Sequence, residues 1–290
     1  MRSNNPVFNR SPEFQGASTN AFGNQTYPGN GATTPGYGQE PYGDPAQWGT
    51  GTPTAPVQQE RMTIDSVVQK TAISLVVVFA AAFATWMMTP AIEDVEAAGT
   101  LYGAMMIGGL GAFGLSMVNS FKRVVSPPLV LAFAVLEGVA LGAFSKFIDG
   151  YFSTPDSGNL VVQAVFGTFA AFAGTLAAYK FFDIQVGSKF RTFVIAAMFG
   201  MVGLGLLEML LGMFSSQLGL FGFGSLGLLF AVAGLVLGVF MLILDFDMVE
   251  QGVRNGLPER ESWRAAFAIT VALVWIYTNL LRILAIFSQD

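Results

Sequence analysis

The sequence predicts an all-α membrane protein, with seven transmembrane helices behind an N-terminal tail. Three observations carry this. The 290 residues are 53% hydrophobic and only 11% charged, with a mean hydropathy of +0.56. An average soluble domain is about 25% charged, so a surface built from this chain is not wettable throughout. From Val67 onward the apolar residues gather into seven runs, near 67–90, 101–119, 128–148, 159–180, 192–215, 222–244 and 265–287. Each run holds 19 to 24 residues, and a helix needs about 20 to cross the hydrocarbon core of a bilayer.

The elements follow in order. Residues 1–60 are rich in Gly, Pro, Asn, Gln, Thr and Tyr, as in TYPGNGATTPGYGQEPYGDP. Such a stretch buries too little apolar surface to offset the entropy of ordering, so a disordered tail is expected. Its Tyr and Phe are either plain solvated residues or stickers for self-association or a partner. No apolar stretch follows Met1, so a secretory signal is not expected. Residues 61–290 form the membrane domain. Its runs are parted by short polar or Gly/Pro-bearing breaks: TPAIEDVEAAG, NSFKRVVSPP, DGYFSTPDSGN, KFFDIQVGSKF, SSQLGLFGFG and DFDMVEQGVRNGLPERESW. Backbone groups in lipid must be satisfied within the segment, so the runs are helices. The alternating pattern of a membrane β-barrel is absent.

Lys and Arg alternate between the two ends. Arg61 and Lys70 precede or open helix 1. Lys122 and Arg123 follow helix 2, Lys180, Lys189 and Arg191 follow helix 4, and Arg254, Arg260 and Arg264 follow helix 6. The opposite connections carry Glu93, Asp94 and Glu96, then Asp149 and Asp156. Only Lys146 and Arg282 fall toward that other side, at helix ends from which they can snorkel. The positive-inside rule then puts the tail in the cytoplasm and the C-terminus outside.

Composition narrows the chemistry. The chain has no Cys and no His. Disulfides, thiol nucleophiles, a His general base, HExxH zinc sites and Ser–His dyads are therefore ruled out. No GxGD stretch, Walker sequence or EF-hand spacing appears. The expectation is a non-enzyme without a resident cofactor.

Small residues cluster in helix 2 (Gly108, Gly109, Gly111, Gly114), helix 3 (Gly138, Gly142) and helix 5 (Gly200, Gly203, Gly205). They mark either close helix packing or a sliding surface. Glu137 and Glu208 fall inside runs. A carboxylate in hydrocarbon must neutralise or find a partner, which makes each a candidate for an ion or proton path, or else a hydrogen-bonded packing residue. Asp245, Asp247 and Glu250 close the sixth run. Asp245 is placed where helix 6 reaches the cytoplasmic face, and both burial and the negative end of the helix dipole disfavour an anion there. Asp247 lies about 200° around the helix from Asp245, so the two face different surroundings, with Asp247 and Glu250 turned toward water or Arg254. The plainer alternative is that all three are surface charges at headgroup level.

Several stretches together resemble the Bax inhibitor-1 family and its bacterial YccA-like members: SPPLVLAFAVLEGVALGAFS, DIQVGSKFRTFV, LDFDMVEQGVRNGLPERESW and IYTNLLRILA, in that order. The tail looks like that of the actinobacterial branch. The resemblance implies six helices around a central seventh, and a pH-sensitive Ca²⁺ leak. It implies a proton-sharing pair of acids, one ending helix 6 and one in helix 7. Asp245 matches the first, and Asn279 stands at the matching position of the second. The gate is then expected to rest on one titrating residue, paired with Asn279.

The expected function is a pH-sensitive Ca²⁺ leak channel in a bacterial inner membrane, with Glu137 and Glu208 along the path and Asp245 as the cytoplasmic latch. Ca²⁺ would be cargo. The alternative is a non-conducting regulatory protein that binds a membrane partner, such as a quality-control protease, through its tail. An inverted-repeat transporter fits less well, because seven spans do not divide into two halves.

Overall fold

Why each apolar run becomes a helix of its observed length is decided at its ends. The computed structural model describes residues 60–289 except 91, 93–94, 155–157, 183 and 215–217. Residues 1–59 of the tail, Glu93, Asp94 and Asp156 lie outside the described residues. Seven helices long and apolar enough to cross a membrane are present: α1 (Ile64–Met88), α2 (Val95–Phe121), α3 (Pro127–Phe152), α4 (Leu160–Phe181), α5 (Ser188–Met213), α6 (Ser225–Arg254) and α7 (Ser262–Phe287). No strand forms among the described residues.

Local chemistry sets the starts. Thr63 caps α1 through a reciprocal box with Ser66, each side chain accepting from the other's backbone N–H at 3.1 Å. Prolines occupy the first positions of α3, where a missing N–H costs nothing. Asn159 accepts from Val162 N at 3.0 Å to open α4.

The largest departure from the sequence reading is the end of α6. Its apolar run stops at Leu244, yet the helix continues to Arg254. It ends in a Schellman turn: Gly256 N donates to Val253 O and Leu257 N to Gly252 O, with Gly256 at φ 62°. Asp245, Asp247 and Glu250 are therefore interior helical residues. Asp245 lies nine residues before the last helical residue, about 14 Å along the axis.

α7 is the axle of the bundle. In its apolar stretch 61% of residues are buried, against 11% in α5. It packs against α1, α3, α4 and α6, while α2 rests on α3 and α5 on α6. The glycines sort by position. A Cβ on Gly138 or Gly142 would strike the backbone of α1 at Val78 O or Ala82 O, and one on Gly108 would meet Ala140 N at 2.7 Å. Gly109, Gly114, Gly200 and Gly203 have nothing within 4 Å. Close packing explains the glycines of α3 and half of those in α2, but not the first two in α5.

One end of the bundle gathers the start of α1, the α2–α3 connection, the start of α5 and the α6–α7 turn; it is called the near end. Arg264 donates to Arg123 O at 2.9 Å, and Lys70 pairs with Glu259 at 2.6 Å. At the far end Lys146 donates to Trp86 O at 2.7 Å and to Thr89 O, and Ser288 Oγ to Phe152 O at 2.9 Å.

Candidate functional site

The site grows from one stripe of α6. Leu242, Asp245, Phe246, Val249 and Gly252 recur at helical spacing and are all buried. This stripe meets Ala265, Ile269, Ala272, Leu273 and Ile276 of α7 in one apolar cluster. Asp245 sits within it, 9% exposed, and its Oδ2 has no hydrogen-bond partner. Thr71 Oγ1 of α1 is likewise buried without a partner.

Register fixes what faces Asp245. Gly238 packs on Ile276, Gly234 on Asn279 and Gly227 near Arg282, so α6 and α7 run antiparallel. Extending the register puts Asp245 level with Ile269. α3 runs parallel to α7: Phe133 meets Phe267 at 5.0 Å between ring centroids, and Ser145 shares a 2.6 Å hydrogen bond with Tyr277. The same extension puts Glu137 level with Thr270, which is fully buried. The two carboxylates, one on α6 and one on α3, thus lie at one depth around the central helix. No hydrogen bond or ion pair reaches Glu137 among the described residues.

The expected partner of Asp245 is elsewhere. Asn279 lies against Gly234, eleven residues from Asp245 along α6, or about 16 Å. Its amide donates to Trp275 O at 2.8 Å. An Asp245–Asn279 hydrogen bond is excluded by this register.

Asp247 also departs from expectation. It is not turned to water: it is 6% exposed and accepts from Arg191 of α5 at 2.9 Å and from Gln251 at 2.7 Å. Glu250 is exposed, as expected, and pairs with Arg254 at 3.7 Å; it also accepts from Tyr179 of α4 at 2.7 Å. Three carboxylates within two turns therefore point toward three different helices, α7, α5 and α4.

Glu208 leaves the group altogether. It accepts backbone N–H groups from Leu218 at 2.9 Å and Gly219 at 2.8 Å, holding the α5–α6 connection at the far end. This is the hydrogen-bonded packing role, remote from Asp245.

Sequence reasoning missed the clasp at the near end. Met62 N donates to Leu257 O and Glu259 N to Glu60 O, both at 2.7 Å. Met62 is 3% exposed and seated on Gly252, and Ser66 Oγ meets Ser262 Oγ at 2.6 Å. The segment before the first apolar run is thus tied to the turn that ends α6. The signal available was Asn255-Gly256-Leu257-Pro258, a helix stop followed by a turn.

Between α1, α3, α4 and α7 lies a cavity of about 460 Å³, lined by residues such as Val78, Phe83, Val165 and Phe169, with Ser145 and Tyr277 among them. Among the described residues no group of three or more acidic side chains comes together as a cation site.

Seven membrane-length helices, four of them packed against a buried α7, with carboxylates in the seams, define a multi-pass membrane protein. The match to a family model makes the assignment specific: residues 5–289 fit the family described as Bax inhibitor 1 like, and the chain belongs to it. No curated protein matches the chain significantly.

Proposed function

We propose that the protein is a pH-sensitive Ca²⁺ leak channel of a bacterial inner membrane, with the proton on Asp245 holding the α6–α7 seam shut. The observation that carries this reading is the Asp245 carboxyl, buried in an apolar cluster with Oδ2 unpartnered. Neutral, it fits the seam. Ionised, it has no cation paired with it among the described residues, and an unpaired buried charge costs several kcal/mol. Loss of the proton therefore favours an arrangement in which the seam parts and water reaches the carboxylate. Glu137 lies at the same depth on α3, a second carboxylate along the proposed path. The pairs Arg191–Asp247 and Tyr179–Glu250 keep α5 and α4 docked on α6 while the seam moves. The near end, where Lys and Arg concentrate, is the cytoplasmic end under the positive-inside rule. Glu208 and Asn279 have no part in the gate.

The test is Ca²⁺ flux in vesicles carrying the purified protein, measured from about pH 6 to pH 8. The reading requires flux above that of empty vesicles, rising with pH. Flux no faster than in empty vesicles at every pH ends it.

A further inference from the structure

Arg282 lies near the far end of α7 and is only 6% exposed. Its Nη2 donates to Leu220 O at 2.8 Å and to Gly222 O at 3.4 Å. Its Nε is buried with no hydrogen-bond partner. No carboxylate pairs with it among the described residues. Glu208 holds the same connection, but through the backbone N–H groups of Leu218 and Gly219. The Phe221 ring, 5.3 Å from the guanidinium carbon, offsets the buried charge in part.

A cavity of about 210 Å³ opens beside this cation, walled by Phe144, Phe221, Phe230, Trp275, Thr278 and Asn279. Its polar inventory is weighted toward donors, with Asn279 Oδ1 turned onto Gly234 of α6. The Thr278 hydroxyl already donates to Val274 O at 2.9 Å, and the Trp275 indole N–H to Gly234 O at 2.8 Å. Asn279 Nδ2 donates to Trp275 O at 2.8 Å, leaving its second N–H. Arg282 Nε and that amide N–H are donors without acceptors, on side chains three residues apart on one helix face. A guanidinium fork matches a carboxylate in shape and charge. The remaining walls are aromatic, and the volume is below the roughly 300 Å³ at which drug-sized pockets begin.

We propose that this cavity binds a small monocarboxylate, its oxygens on Arg282 and its short alkyl group against the phenylalanines. The site neutralises a cation that the described residues leave without a carboxylate partner. It is independent of the Asp245 gate and is read without ion flux.

The experiment is thermal unfolding of the full chain in detergent, with chloride replaced stepwise by acetate at constant ionic strength. Wild type should gain stability in a saturating manner, as a ligand of the folded state requires. Arg282→Gln should give no response. Asn279→Asp puts a carboxylate one turn from Arg282; it should melt higher than wild type without acetate and lose the acetate response. Absence of a saturable response in wild type, an equal response in Arg282→Gln, or an unchanged response in Asn279→Asp overturns the proposal. If Arg282→Gln fails to fold, the Asn279→Asp result decides.

Discussion

Asn279 rests on Gly234: a Cβ added to the glycine would lie 2.5 Å from Asn279 Oδ1. This contact fixes the register of α6 on α7. It holds Asn279 about 16 Å from Asp245 and leaves the buried carboxyl to act without it. Gly234→Ala should therefore push α6 off α7. Overpacking of this kind costs about 1–3 kcal/mol, and a lower melting temperature of the purified protein checks it.

The glycines of α3 and α5 should behave oppositely. Gly142→Ala drives a methyl group into the α1 backbone at Ala82 and should cost about 2 kcal/mol or more. Gly203→Ala meets open space and should stabilise by about 0.5–1 kcal/mol, because alanine loses less backbone freedom in a helix interior. Melting curves of the two variants side by side decide the matter; equal losses would mean that α5 packs more closely than described.

Asp247 should depend on Arg191. Arg191→Gln leaves a carboxylate of 8% side-chain exposure with Gln251 as its remaining partner. Removing one member of a buried pair costs about 3–5 kcal/mol. Arg191 is itself 48% exposed, so solvent screening lowers the expected loss to about 1–2 kcal/mol. A double-mutant cycle with Asp247→Asn should show a coupling of that size, and additive effects would contradict it.

Glu208 should prove structural. Glu208→Ala strands the N–H groups of Leu218 and Gly219, at a cost of about 2 kcal/mol. Hydrogen exchange at these two amides should accelerate, while the pH profile of Ca²⁺ flux keeps its wild-type midpoint. A shifted midpoint would return Glu208 to the ion path.

The seven helices were legible because bilayer thickness fixes run length and lipid forbids an unpaired backbone. The end of α6 was misread because hydropathy marks where a helix leaves lipid, not where it stops. The stop signal, Asn255-Gly256, lay eleven residues beyond the last apolar residue of the run. Burial of Asp247 was invisible for a related reason: its partner Arg191 comes from α5, and pairing across helices leaves no local trace. Asp245 could be singled out from its position after Leu242, Ile243 and Leu244. Its lack of a partner could not, since that depends on the register set by Gly234 and Gly238 against α7. Glu208 looked like a path residue because a carboxylate between apolar neighbours gives no hint that a loop folds back to it.

The central claim is that the charge on Asp245 opens the α6–α7 seam. It is tested most directly by comparing Ca²⁺ flux in vesicles carrying wild type or Asp245→Asn between about pH 6 and pH 8. Asparagine keeps the shape of the neutral side chain and cannot ionise. The variant should therefore stay at a low leak across the range while wild type rises with pH. A variant that reproduces the wild-type rise contradicts the claim.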